Sequence, residues 1–129
     1  MGMALRVALV AGALIDLGVA LLSLFAQNLI EPLLDIPIKD PALTLIAGGE
    51  YLVVTLVYLI VLRDPRRFRP LLWLCALDQT VAIALPLIAM AHGAFPATAK
   101  TIGPMPLQAV LVVIYLLGTR RRAGTRAKA

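Results

Sequence analysis

The chain has 129 residues, of which 61% are hydrophobic and only 15% are charged, and its mean hydropathy is +0.95. A soluble domain is about half apolar and about a quarter charged, so this composition excludes a water-soluble globule. It also excludes a disordered chain, which requires low hydrophobicity and high charge. The length allows one domain, and the remaining question is how often that domain crosses a bilayer.

The charge and the cysteine content limit the partners and the redox chemistry that this chain can have. In a soluble protein the net charge of +5 would point to nucleic acid. Here the Lys and Arg residues avoid the apolar runs and collect at their ends, as cationic groups do beside anionic lipid headgroups. We therefore expect the lipid bilayer as the partner and no nucleic acid. The single cysteine, Cys75, excludes an intrachain disulfide and a Cys-x-x-Cys redox pair.

Four apolar runs follow one another along the chain, at residues 7–26, 43–62, 70–91 and 102–118. Each has about the 17 to 25 residues that a helix needs to cross a ~30 Å hydrocarbon core. The sequence therefore predicts an all-α membrane domain over residues 1–118, an up-down-up-down bundle of four transmembrane helices, and a basic cytoplasmic tail over residues 119–129. The first run is too long for a signal peptide and contains an acid, so we expect it to remain as a helix.

The basic residues predict the orientation of these helices. Ten of the twelve Lys and Arg residues fall on one side, namely Arg6, those of the 63–69 turn and those of the tail. The other side has only Lys39 and Lys100. Because basic flanking segments stay in the cytoplasm, both termini are expected there, with the chain in the cell inner membrane.

Each apolar run has a polar side chain near its middle, namely Asp16, Glu50, Asp78 and Gln108. Counted from the nearest cytoplasmic basic residue, they lie roughly 15, 20, 14 and 18 Å into the membrane. Further polar side chains share the same arcs of the helices, and these are Tyr51, Tyr58, Gln79 and Tyr115. The sequence therefore predicts one interior binding site near the bilayer midplane, formed by these eight residues.

The three acids favour a functional site over a structural one. An ionised acid at a helix centre costs ~2.5 to 3.5 kcal/mol on insertion scales, and no Lys or Arg lies at the same depth. The acids must therefore be protonated, line a hydrated cavity or await a cation. Glu50 is the deepest, and we expect it to be desolvated and neutral. Hydrogen bonding between helices is the structural alternative, but it contributes only about 0.6 kcal/mol per contact.

These residues predict an inner-membrane protein that binds or transports a lipophilic or cationic small molecule in a central cavity. Asp16, Glu50 and Asp78 would be its proton or cation sites. Two alternatives stay open: an acid/base enzyme of the isomerase, cyclase or hydrolase type, with the same three acids as catalytic residues, and an accessory subunit of a membrane redox or biosynthetic complex. The chain has no zinc pattern, phosphate loop or nucleotide fingerprint, so neither a cofactor nor a metal is expected.

Three local patterns add structural expectations. Ala8, Gly12, Asp16 and Ala20 form a small-residue stripe at spacing four, which is a candidate contact for a homodimer. Segment 28–41 is too apolar for a free loop and too short to span, so it is expected to lie in the outer interface, as a connector or as a lid over the bundle. The tight turn 63–69 predicts that the second and third helices are antiparallel neighbours.

One further pattern resembles a known group of proteins. Gly-Gly-Glu-Tyr at residues 48–51 is followed by Arg-Asp-Pro-Arg-Arg-Phe-Arg-Pro-Leu-Leu-Trp at residues 63–73 and by the pair Asp78-Gln79. This order resembles the small bacterial four-helix membrane proteins of the DoxX-like and BphX-like families. The resemblance implies a four-helix membrane bundle and an association with membrane redox systems.

Overall fold

The structure, a computed structural model of the chain, describes residues 2–120. Within this range all regular secondary structure is helical and no strand is present. The four long helices are α1 (Met3–Phe25), α2 (Pro41–Arg63), α3 (Leu72–Ala91) and α4 (Met105–Thr119). The predicted all-α fold with four long helices is confirmed. Most of the predicted cytoplasmic tail, residues 121–129, lies outside the described residues.

The outer surface of these helices is apolar. Four helical stretches, Met3–Phe25, Pro41–Arg63, Arg69–Ala91 and Ala99–Thr119, are long and apolar enough to cross a membrane. Each presents large aliphatic side chains outward, and examples that are more than half exposed are Leu14, Val53, Leu77 and Val113. Exposed apolar surface of this extent is unfavourable in water and is covered by lipid in a bilayer. These are the features of a multi-pass membrane protein.

Polar side chains define both ends of α2. The Asp40 carboxylate accepts hydrogen bonds from the backbone N–H groups of Ala42 and Leu43, at 2.9 and 3.2 Å. These bonds satisfy donors that the first turn of a helix leaves free. Beyond the other end, the Asp64 carboxylate accepts a hydrogen bond from the backbone N–H of Arg67 at 3.1 Å. That bond closes the tight turn that leads into α3.

Prolines set the start of α4. Pro104 precedes the helix and Pro106 lies in its first turn, where the missing N–H would have no partner in any case. The short helix Ala99–Ile102 comes before them. As a result α4 begins three positions later than the apolar run 102–118 predicts.

The helices pack in two main pairs. α1 packs mainly against α2, and α3 packs mainly against α4. α2 and α3 have few contacts with each other, so the tight turn between them does not make them closely packed neighbours, contrary to the prediction. A cavity lies between the two helices.

Two glycines allow α1 to approach its neighbours closely. A Cβ atom on Gly12 would lie 2.5 Å from the hydroxyl oxygen of Tyr115 and 2.5 Å from a ring carbon of Tyr58. A Cβ atom on Gly48 of α2 would lie 2.8 Å from the Cβ of Ser23. Both distances are shorter than any van der Waals contact, so these positions exclude a side chain.

The small-residue stripe of α1 is buried in these contacts within the chain. Its four members, Ala8, Gly12, Asp16 and Ala20, are all buried. The expectation that the stripe forms a homodimer contact is therefore wrong. Spacing four identifies a close helix approach, but it does not distinguish a partner in the same chain from one in a second copy.

The hydrophobic core occupies only half of the bundle, towards the turn between α2 and α3. Its most buried side chains come from all four long helices, and they are Leu5, Leu9, Tyr58, Val61, Leu72, Cys75, Leu111 and Tyr115. The other half carries the short helices Ile30–Leu34 and Ala99–Ile102, and we call it the capped end. Asp16 and Asp78 follow the core residues of α1 and α3, so they lie where the core ends.

Candidate functional site

Asp16 of α1 and Asp78 of α3 form a pair of acids. Asp16 is 1% exposed, and Asp78 is half-buried. The buried Oδ2 atom of Asp16 has no hydrogen-bond partner among the described residues, whereas Asp78 accepts two hydrogen bonds. The two acids therefore differ in how their oxygens are hydrogen-bonded.

Two donors hold Asp78 in place. The Tyr58 hydroxyl donates to the Asp78 carboxylate at 2.8 Å, and the Gln79 amide donates to the same oxygen at 2.8 Å. The Gln79 amide also donates to the Tyr58 hydroxyl oxygen at 3.0 Å. The three side chains thus form a closed network beside Asp16, and they orient one carboxyl of the pair.

A cavity of about 480 Å³ lies between α2 and α3, and we call it the α2–α3 cavity. Glu50, Tyr51 and Asp78 supply its polar groups, and the remaining lining residues are apolar. No basic residue is among the described residues that line it. Several lining residues, Glu50 and Leu85 among them, are exposed. The cavity therefore opens sideways between two helices that are apolar enough to lie in lipid.

Glu50 differs from its expected position. It is exposed on the wall of the α2–α3 cavity and does not lie inside the bundle as predicted. The reason is the rotation of α2, which buries Gly48 against α1. A residue two positions further along is turned by about 200° around the helix, so Glu50 points away from α1.

A second cavity of about 420 Å³ lies on the other side of Tyr51, between α1 and the start of α4, and we call it the α1–α4 cavity. Asp16 and Gln108 are on its wall, and Lys100 and Thr101 are at the capped end. The two cavities adjoin, because both are lined by Ile36, Tyr51, Ala82, Pro86 and Phe95.

The wall that the cavities share includes an interrupted helical turn. Pro86 lies inside α3, and proline has no N–H to donate to the carbonyl four residues earlier. The carbonyl of Ala82 therefore lacks its helical donor, and Ala82 lines both cavities. This carbonyl is a further hydrogen-bond acceptor near Asp78.

Polar contacts between two loops close the capped end. The Thr98 hydroxyl donates to the Asp35 carboxylate at 2.6 Å, and the Lys100 ammonium donates to the carbonyl of Pro32 at 2.8 Å. Lys100 also lies 3.7 Å from Asp35, a residue with a left-handed backbone at φ 54°. Segment 28–41 is thus fastened to the loop that precedes α4, and Ile36 of that segment covers both cavities.

The predicted site residues fall into four groups, the last of which is Tyr115 alone. Asp16, Tyr58, Asp78 and Gln79 come together in the acid-pair network. Glu50 and Tyr51 line the α2–α3 cavity, and Gln108 lines the α1–α4 cavity.

Tyr115 belongs to the core, because it is fully buried and its hydroxyl donates to the carbonyl of Ala8 at 2.5 Å. Three residues of the predicted site, Tyr58, Gln79 and Tyr115, are not among the residues that line either cavity.

Phe95 lines both cavities and was not among the predicted site residues. A signal was present, because Phe95 is the single large apolar residue among positions 92–101. An aromatic ring in an otherwise small and polar loop indicates burial against something apolar.

No protein-family model, curated protein or solved structure matches this chain. The resemblance to the DoxX-like and BphX-like families therefore stays a prediction. Among residues 2–120 no group of three or more His, Cys, Asp or Glu side chains is arranged to hold a metal ion.

Proposed function

We propose that this chain is a multi-pass inner-membrane protein that binds a small lipophilic cation in the α2–α3 cavity, as a binding protein or transporter. One observation carries the proposal: Glu50 and Asp78 lie on the wall of a cavity whose other lining is almost entirely apolar. An ionised acid in the middle of a membrane helix is unfavourable by about 2.5 to 3.5 kcal/mol unless it is paired or hydrated. A cation with an apolar body would form ion pairs with the acids and pack against the apolar walls.

Size and access support the same class of ligand. The volume of about 480 Å³ falls in the range of roughly 300 to 1,000 Å³ that small-molecule sites occupy. The opening between α2 and α3 faces the direction from which a lipophilic molecule dissolved in the bilayer would arrive. The α1–α4 cavity fits a cation less well, because Lys100 lies on its wall.

The ligand proposal is tested with tetraphenylphosphonium as the probe and purified protein in detergent. We expect saturable binding of this cation, and weaker binding of neutral triphenylphosphine oxide. Glu50→Gln keeps the shape of the side chain and removes its charge, so it should weaken cation binding by about tenfold or more. Isothermal titration calorimetry measures both affinities.

Glu31→Gln is the matched control, since Glu31 is exposed on the short helix Ile30–Leu34 and lines neither cavity. It should bind the probe as the unmodified protein does. Equal affinities of Glu50→Gln and Glu31→Gln for the cation, or equal affinities for the charged and neutral probes, would contradict the proposal.

We also propose the up-down-up-down topology with both termini in the cytoplasm. An even number of candidate spans favours both ends on one side, and the excess of basic residues around Arg6, the 63–69 turn and the tail supports the cytoplasm as that side. The capped end would then face outward.

Single cysteines in a Cys75→Ser background test this topology. Arg67→Cys and Glu31→Cys both replace exposed residues, one in the turn before α3 and one at the capped end. A membrane-impermeant maleimide added to intact cells should label position 31 and leave position 67 unlabelled until the cells are opened. The reverse pattern would invert the proposed orientation.

An acid/base enzyme is the second candidate function, and the different surroundings of Asp16 and Asp78 favour it, because Asp16 is buried without a donor to its Oδ2 atom and Asp78 accepts two hydrogen bonds. Two carboxyl groups in different surroundings can serve as an acid and a base. Mass spectrometry of the probe and of co-purified lipophilic molecules separates the two functions, because a binding protein returns its ligand unchanged.

A further inference from the structure

We propose that the α1–α4 cavity is a second binding site, and that it takes a lipophilic alcohol whose hydroxyl group forms a hydrogen bond with Asp16. The cation of the proposed function binds in the other cavity. The two sites differ in place and in ligand, so each can be tested without the other.

One buried polar atom on the wall of the α1–α4 cavity has no partner. Asp16 lines this cavity and is 1% exposed, and its Oδ2 atom makes no hydrogen bond with any described residue. A buried polar atom without a hydrogen bond is unfavourable, and native proteins contain few of them. A molecule that enters the cavity and bonds to this oxygen removes that penalty.

The polar groups at the capped end of the cavity already have partners. The Lys100 ammonium donates to the carbonyl of Pro32 at 2.8 Å and lies 3.7 Å from Asp35. The Thr101 hydroxyl donates to two backbone carbonyls of its own loop, at 3.0 Å each. The polar part of a ligand is therefore needed most at Asp16, away from the capped end.

A hydroxyl group suits Asp16 in either protonation state of the carboxyl. It donates to Oδ2 when the carboxyl is ionised and accepts from it when the carboxyl is protonated, because a hydroxyl has one donor and two acceptor positions. The Gln108 amide on the same wall can also both donate and accept. A charged ligand fits less well, since the wall carries an acid, Asp16, and a base, Lys100.

The rest of the cavity requires an apolar body. From Asp16 the lining continues along α1 to Val19 and Leu22, a distance of ~9 Å along the helix axis. Ile36 and Phe95 line the cavity at the capped end. An aliphatic chain of similar length matches this lining, and the volume of about 420 Å³ falls in the range of small-molecule sites.

The cavity can be reached from the lipid. Leu14 and Gly18 of α1 and Pro104 before α4 line it, and all three are exposed on the outer surface. An alcohol dissolved in the bilayer would therefore enter between α1 and α4. The α2–α3 cavity, in contrast, opens between two other helices.

The first test uses octan-1-ol that carries a diazirine on its chain, with the purified full-length protein in detergent. After illumination, mass spectrometry should find saturable labelling of peptides from α1 and from the start of α4, and excess octan-1-ol should compete. Octane with the same diazirine lacks the hydroxyl, so it should label these peptides about fivefold less or weaker still. Equal labelling by the two probes, or labelling that neither saturates nor is competed, would overturn the proposal.

The second test removes the hydrogen-bonding group. Asp16→Leu keeps a side chain of similar size and loses both carboxyl oxygens, so alcohol labelling should fall to the level of the octane probe. Circular dichroism in detergent checks that the variant is folded. If the folded variant still preferred the alcohol over the alkane, Asp16 would not be the hydroxyl partner and the proposal would be wrong.

The third test fills the cavity and does not depend on the folding of the Asp16 variant. A Cβ atom at Gly18 would meet no atom within 4 Å, so Gly18→Trp should extend into the cavity without disturbing α1 and abolish alcohol labelling. Gly49→Trp is the control, because Gly49 has equal free space and lines neither cavity. Equal labelling of the two variants would overturn the location of the site.

Binding of tetraphenylphosphonium distinguishes the two sites. Gly18→Trp should keep its affinity for this cation, because Gly18 does not line the α2–α3 cavity. Loss of both ligands in a folded Gly18→Trp variant would mean one shared site and would overturn the second site. If the unmodified protein bound the alcohol and not the cation, the proposed function would be wrong and the alcohol site would remain.

Discussion

Adding one methyl group at Gly12 is expected to destabilise the protein strongly. The new Cβ atom would lie 2.5 Å from the Tyr115 hydroxyl and 2.5 Å from a ring carbon of Tyr58. Both rings are fully buried, and both are tethered, Tyr58 to Asp78 at 2.8 Å and Tyr115 to the carbonyl of Ala8 at 2.5 Å. Neither can withdraw without breaking its hydrogen bond.

Overpacking of this kind costs typically 1–3 kcal/mol, and loss of a buried hydrogen bond adds about 1–3 kcal/mol. The higher helix propensity of alanine offsets about 1 kcal/mol of this loss in stability. Gly12→Ala should therefore lower the unfolding free energy by about 2 kcal/mol or more, with a lower midpoint in detergent measured by circular dichroism.

Gly18→Ala is the matched control on the same helix, since a Cβ there meets no atom within 4 Å. It should leave the midpoint unchanged or raise it slightly, because only the helix propensity changes. If Gly12→Ala and Gly18→Ala unfolded at the same midpoint, that result would contradict the close approach of α1 to the two tyrosines.

The second large effect is expected from the acid pair. Asp16→Asn and Asp78→Asn should each change stability, but their effects should not add in the double variant, since groups in contact typically couple by 0.5–3 kcal/mol. Each single variant replaces a carboxyl pair by a carboxyl and an amide, which can form a hydrogen bond without a shared proton. The double variant loses the acid from both sides at once. Thermal unfolding of all four proteins completes the cycle.

Asp35→Asn combined with Asp78→Asn provides the control cycle. Asp35 lies at the capped end and bonds to Thr98 and Lys100, so it shares no partner with Asp78. Its effect should add to that of Asp78→Asn within roughly 0.5 kcal/mol. Additivity in the Asp16 and Asp78 cycle would show that the two carboxyl groups do not interact.

The position of an acid along its helix is predictable from the sequence, and its neighbours are not. By residue counting, Asp16 and Asp78 lie roughly 15 and 14 Å from the basic residues at the ends of their helices. Glu50 was assigned to the same interior site, and it lies instead on an exposed cavity wall. Depth follows from the rise per residue, which is local, whereas direction depends on how each helix is rotated in the bundle.

At the start of α1, too, the predicted apolar run and the helix in the structure differ. The apolar run begins at residue 7, but the helix begins at Met3 and includes Arg6. Hydropathy marks the part of a helix that lies in hydrocarbon, while helical hydrogen bonds continue into the polar interface. An estimate from apolar residues alone therefore sets the span correctly and the helix end too late.

By itself the sequence determined the elements: four helices of membrane-spanning length, their proline and Asp-capped boundaries, and the positions of the acids along them. Each depends on residues close together in the chain, on helical rise, capping and hydropathy. The tertiary structure decided which faces meet. The close approach of Gly12 to Tyr58 and Tyr115 brings α1 against its neighbours, and two cavities remain beyond the core. Such contacts join residues far apart in sequence, and they depend on the fit of several side chains at once, which no local pattern records.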